Sequence, residues 1–180
     1  ELVIIHAGSG PTNKDGNTIG GGSNNSLKMI AENLAEQGIA SIRFDKRGVG
    51  ENTALIAKEE DLTFEMYVQD VTSIVDYANK DSRFTEVHLL GHSEGALIMA
   101  IAAQKSDVNS LLSIAGAGRP ADKVLMEQLA ASLPPNLLLE SENVLQQMKA
   151  GNKVGKVSPE LQSLFRPSVQ PYMISWLKYN

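Results

Sequence analysis

Gly91-His92-Ser93-Glu94-Gly95 is the stretch on which the reading of this chain turns. It fits G-x-S-x-G, in which a serine sits on a sharp strand-to-helix turn with its hydroxyl lifted clear of the backbone. The flanks supply that setting. Val87-His88-Leu89-Leu90 reads as a short buried strand, and Ala96 to Ala103 as an apolar helix of small residues. Strand and helix backbones nearly touch at such a turn, which leaves no room for Cβ atoms at positions 91 and 95. The spacing therefore predicts an elbow that presents Ser93 as a nucleophile.

Working outward, strand and helix signals alternate. Leu2 to His6 is a continuous apolar run, followed by a loop over 7–17. After Gly20-Gly21-Gly22, Asn24 or Asn25 is placed to cap a helix reaching about Gln37, with Leu27, Ile30, Ala31 and Leu34 on one face. Gly38 ends it. A second strand is predicted at Ile39–Phe44, a helix at about Thr63–Lys80, a third strand at Val87–Leu90 and a fourth at Leu111–Ala115. Such β-α-β alternation implies a parallel sheet with helices on its faces and a site at the strands' C-terminal ends.

Beyond Gly118 the pattern is helical with no strand: Val124 to Leu129, then Leu137 to Met148, with Pro134-Pro135, Gly151 and Gly155 as breaks. Tyr172, Met173, Trp176 and Leu177 recur at helical spacing near the end. The expected organisation is a core over 1–118, a helical cap over 119–166, and a helix over 167–180 returning to the core.

With 180 residues and 42% hydrophobic content the chain can bury a substantial core. A net charge of −5 with scattered Lys and Arg gives no basic patch, so neither nucleic acid nor an anionic membrane surface is an expected partner. The lack of cysteine excludes disulfides, thiolate metal sites and a cysteine nucleophile, and leaves the compartment open between cytoplasmic and secreted or periplasmic. No run of 18 apolar residues predicts a membrane span. The chain opens at Glu1, without Met and directly into a strand, so removal of upstream residues is expected.

Three motifs in order make the chain resemble the α/β-hydrolase family, in its serine esterase-like branch with an inserted cap. His6-Ala7-Gly8-Ser9-Gly10-Pro11 is similar to the oxyanion loop, Asp45-Lys46-Arg47-Gly48-Val49-Gly50 to the D-x-R-G-x-G turn, and Gly91 to Gly95 is the elbow. The resemblance implies an α/β fold in which these strands form the central parallel portion of an eight-stranded sheet, the C-terminal strands being absent. It implies Ser93 as nucleophile, and an oxyanion hole from the backbone N–H of Glu94 and one of Gly8 or Ser9. Hydrolysis of a carboxylic ester through an acyl-serine intermediate follows from it, with thioesters and amides as further candidates. The implied substrate is a small-molecule ester with an apolar portion, for which the Leu- and Met-rich cap would suit an acyl group. No cofactor is implied.

The chain also departs from the family. A serine needs a histidine to take its proton and an acid to orient that histidine, and in this fold the order is Ser, acid, His. All three histidines, His6, His88 and His92, precede Ser93, and the last aspartate is Asp122. Two explanations follow: a fragment of a longer hydrolase, inactive by itself, or a non-catalytic hydrolase-like module that binds an apolar ligand. The fragment reading predicts an unpaired outer edge on the fourth strand, open to self-association. An acyltransferase is a further reading, since Gly91-His92-Ser93 also opens G-H-S-x-G.

Bland readings suit the remaining candidates better. His88 reads as a core histidine, His92 as a local packer, and His6 as a prop for the oxyanion loop. Asp45 precedes the nucleophile and is expected to anchor its own turn or pair with an Arg. The histidines lack ligand-like spacing, so no metal is assigned. Gly8-Ser9-Gly10 and Gly20-Gly21-Gly22 match neither phosphate-binding glycine pattern, which argues against a nucleotide.

Overall fold

Apolar runs separated by helices can pair only in parallel, because each crossover returns the chain to the same end of the sheet. A computed structural model describes residues 1–180 and shows this arrangement. Strands β1 (Leu2–His6), β2 (Ala40–Arg43), β3 (Val87–His92) and β4 (Ser110–Ile114) form one sheet in the order β2-β1-β3-β4, every pair parallel. The crossovers carry α1 (Ser26–Glu36), α2 (Phe64–Ala78) and α3 (Glu94–Ala103). The sheet's register sets His6 opposite Gly91 and His92 opposite Ile114, so the end of β1 meets the elbow.

The chain divides into two units, residues 1–56 with 66–116, and residues 57–65 with 117–180. In the first, Val3, Ile5, Ala7, Leu27, Ala31 and Leu90 form a buried cluster under α1. Helix α3 buries Ala96, Ile98, Met99 and Ala102, which is why it shows no polar stripe. β4 is an edge strand, paired to β3 alone and exposed along all five residues.

Several boundaries differ from those expected, each for a local reason. Helix α1 starts at Ser26 with Asn25 at its N-cap, as expected, but the Asn25 side chain makes no capping bond, because its Oδ1 accepts from Asn17 Nδ2 at 2.8 Å. Asn25 itself adopts the left-handed conformation (φ 53°). Ile39 is spent closing α1, its N–H bonding Leu34 O at 2.9 Å while that of Gly38 bonds Ala35 O at 3.0 Å, so β2 begins at Ala40. β3 runs on to His92 because β4 pairs with it to the elbow itself. The 3-10 turns at Gly50–Leu55 and Glu59–Asp61 carried no periodic signal.

The second unit is helical apart from its turns: α4 (Ala121–Ala130), α5 (Pro135–Lys149), α6 (Gln162–Phe165) and α7 (Gln170–Trp176). Residues 167–180 carry α7 and belong to this unit. Fully buried Gln170 staples it together, accepting from Val154 N–H at 2.7 Å and donating to the carbonyls of Val154 at 2.8 Å and Phe165 at 2.9 Å. Phe64 stacks on Trp176 at 6.3 Å between ring centres and packs on Tyr179 at 5.2 Å. No helix is long and apolar enough to cross a membrane.

Candidate active site

Ser93 sits at φ 53°, ψ −119°, a conformation a non-glycine residue holds only when its surroundings force it. Here β3 and α3 do the forcing. The Ser93 N–H is tied to Ile114 O at 2.9 Å, and its carbonyl accepts from Ala96 N–H at 3.0 Å as α3 begins. A Cβ at Gly91 would lie 2.5 Å from both Ala96 N and Ala96 Cα, and one at Gly95 would lie 2.5 Å from Ala7 O and 2.7 Å from His6 O. Backbone cannot yield as a side-chain tip can, so both positions require glycine.

The loop after β1 comes to the same place. A Cβ on Gly8 would stand 3.2 Å from Ser93 Cβ and 3.1 Å from His92 Nδ1, so Gly8 lies against the turn that carries Ser93. The Ser9 carbonyl accepts from Thr12 Oγ1 at 2.9 Å, while the Ser9 N–H has no partner in the chain. Glu94 opens α3 directly after Ser93 and is 5% exposed. Gly8, Ser9, Ser93 and Glu94 thus come from two loops at the C-terminal ends of neighbouring strands.

Behind that loop lies Lys46, 2% exposed, which nothing in the sequence singled out. Its Nζ donates to Gly8 O at 2.5 Å and Gly10 O at 2.8 Å, and sits 5.5 Å from the centre of the Tyr67 ring. Burial lowers its pKa from the usual lysine value, and the negative charge of Glu94 opposes that shift. A lysine is normally a surface residue, so composition and periodicity carry no trace of this one.

The Asp45 turn is structural, as its place ahead of the nucleophile suggested. Its carboxylate accepts from the N–H groups of Lys14 at 2.7 Å and Glu51 at 3.0 Å. Its ionic partner is the Lys14 ammonium at 3.5 Å and not an arginine. Burial pushes the Asp45 pKa up, but the two backbone donors and Lys14 outweigh it, leaving it below the ordinary value. Arg47 reaches α2 instead, with a two-pronged pair to Asp70 at 2.7 and 2.5 Å.

No histidine hydrogen-bonds to Ser93. His6 is buried, donates Nδ1–H to Ala7 O at 2.7 Å, and packs edge-on against Phe44 and Tyr67 at 5.4 and 6.0 Å. Burial first, then the nearby Lys46 charge, lowers its pKa to about 3, so it is neutral and props the loop from beneath. His88 proves half-buried and not a core residue, bonding Ser110 Oγ at 2.9 Å. His92 packs beside Gly8. The one group with metal-like spacing is Glu1, Glu86 and His88, whose ligand atoms lie within 4.8 Å of one another. They flank the N-terminal ends of β1 and β3, at the far end of the sheet from Ser93.

A parallel sheet with a strained, glycine-flanked serine after a central strand defines an α/β hydrolase. The chain belongs to the family described as Serine aminopeptidase, S33, which it matches over residues 20–164, from ahead of α1 into α6. It is 31% identical over 155 residues to Esterase EstD of Thermotoga maritima, covering 82% of this chain and 35% of that protein. Among solved structures it resembles the α/β hydrolase GrgF from Penicillium sp. sh18, with TM-score 0.58 and 19% identity over 99% of this chain and 64% of that one. A lipase-esterase related protein from Clostridium acetobutylicum gives TM-score 0.54 and 19% identity over 99% of this chain and 67% of that one. The chain thus spans about a third of the length of the curated esterase it matches.

Proposed function

We propose that Ser93 is the nucleophile of a serine hydrolase that cleaves carboxylic esters. Its Oγ attacks the ester carbonyl, the alcohol leaves as the tetrahedral intermediate collapses to an acyl-serine, and water then releases the acid. The observation that carries this reading is Ser93 itself, held at φ 53° between two glycines whose hydrogens already fill the available space. Support comes from Gly8 lying against Ser93, from the partnerless Ser9 N–H, and from the likeness to an esterase. The base and its orienting acid come, on this reading, from residues beyond the 180. An apolar portion of the substrate is inferred from the leucine- and methionine-rich sequence of 119–166 alone.

Hydrolysis of p-nitrophenyl esters by the full-length protein is the direct test, with a thioester and an anilide alongside to set the substrate class. Ser93→Ala should cut turnover by at least about 10⁴-fold; equal turnover in wild type and variant would sink the assignment. The 180 residues alone should label only slowly with a fluorophosphonate.

The absence of any Ser93–histidine hydrogen bond favours one second reading, a non-catalytic module binding an apolar ligand. It predicts no turnover by the full-length protein together with ligand binding that Ser93→Ala leaves intact.

A further inference from the structure

We propose that Lys46 is a positioning residue for oxyanion stabilisation, its ammonium holding the carbonyls of Gly8 and Gly10 and so fixing the direction of the Ser9 N–H. This rests on the serine hydrolase reading above and deepens it. The argument begins with the peptide unit. In a trans peptide the C=O and the following N–H point in opposite directions. Lys46 Nζ draws Gly8 O toward the interior at 2.5 Å, so the N–H of the same peptide, that of Ser9, is turned away from the lysine. The second carbonyl held, that of Gly10, belongs to the peptide before Pro11, which has no N–H to offer. Of the two donors the sequence left open, Gly8 and Ser9, the one whose peptide Lys46 holds is Ser9.

Glu94 is buried, follows Ser93 directly, and its charge acts on Lys46. A buried ammonium costs several kcal/mol in desolvation and is a poor device for stability alone. Fixing a donor in advance is a use that warrants it, because a hole that need not reorganise stabilises the developing charge best.

The test uses the full-length protein, a p-nitrophenyl ester, and a trifluoromethyl ketone that Ser93 would add to as a tetrahedral oxyanion. Lys46→Met, close to isosteric and uncharged, should lower kcat by about 10- to 100-fold with KM within about threefold, and weaken ketone binding in the same proportion. An unchanged kcat, or a rise in KM alone, in a folded variant overturns the proposal. Ser93→Ala separates the two levels. If it retains activity the hydrolase reading fails; if it is dead while Lys46→Met is fully active, only the role of Lys46 fails. Should Lys46→Met not fold, Glu94→Gln keeps the lysine and the Glu94 backbone donor while removing the counter-charge. It should show the same kcat loss at constant KM, and wild-type kcat in that variant overturns the proposal equally.

Discussion

β3 and β4 lie side by side with nearly the same central sequence and opposite fates. Leu89 pairs with Leu111 and Leu90 with Leu112. Leu89 and Leu90 are 0% and 5% exposed, whereas Leu111 and Leu112 are 40% and 45% exposed. Neither propensity nor apolar character separates them. The difference lies in neighbours: β3 has β1 on one side and β4 on the other, while β4 has a partner on one side only. A run of apolar residues therefore says that a strand exists, and its position in the sheet says what each residue contributes.

The largest effect that could break this comparison lies at the end of β3. Gly91→Ala should destabilise by more than about 4 kcal/mol or prevent folding, since its Cβ would be 2.5 Å from backbone atoms of Ala96. Gly118→Ala, with nothing within 4 Å of the new Cβ, should stay within about 0.5 kcal/mol in the same urea titration. Next comes the leucine pair itself. Leu89→Ala should cost about 2–5 kcal/mol and Leu111→Ala under about 1 kcal/mol; equal costs would mean that β4 is covered in solution.

The third prediction concerns pH. His6 ends β1 opposite Gly91, and its pKa falls from 6.5 unfolded to about 3 folded. As pH drops below 6.5 the unfolded chain binds a proton that the folded chain refuses, so stability held above that pH is lost toward pH 3. Between pH 7 and pH 5 the wild type should lose about 2 kcal/mol more than His6→Asn. Parallel pH slopes for the two would show that His6 is not buried as described. The smallest effect is at the free edge. Leu112→Lys should leave the melting temperature nearly unchanged while reducing self-association in sedimentation velocity; an already monomeric wild type would remove the edge as a contact site.

Much of the fold was legible because period and punctuation are local. The elbow, the four strands and the helices between them follow from apolar runs, glycines and caps within a few residues of each other. Capping was less legible where a side chain had a distant alternative, as when Asn17 engages the Asn25 side chain and leaves α1 without a side-chain cap bond. At the site, Ser93 and its glycines were visible, and so was the oxyanion loop as a motif. Lys46 was hidden, because its partners Gly8 and Gly10 lie 38 and 36 positions away and only β1–β2 pairing brings them together. The turn role of Asp45 was foreseen, but its partner Lys14 was not, for the same reason of sequence distance.

The sequence by itself determined the glycine-flanked turn at Ser93 and the parallel α/β class, because each depends on steric rules that act between neighbours in the chain. Only the tertiary structure decided which leucines are core, that His6 is a neutral prop, and that a buried lysine holds the carbonyls of Gly8 and Gly10. Those outcomes depend on which groups are removed from water together, and burial is a property of the assembled sheet and not of any one segment.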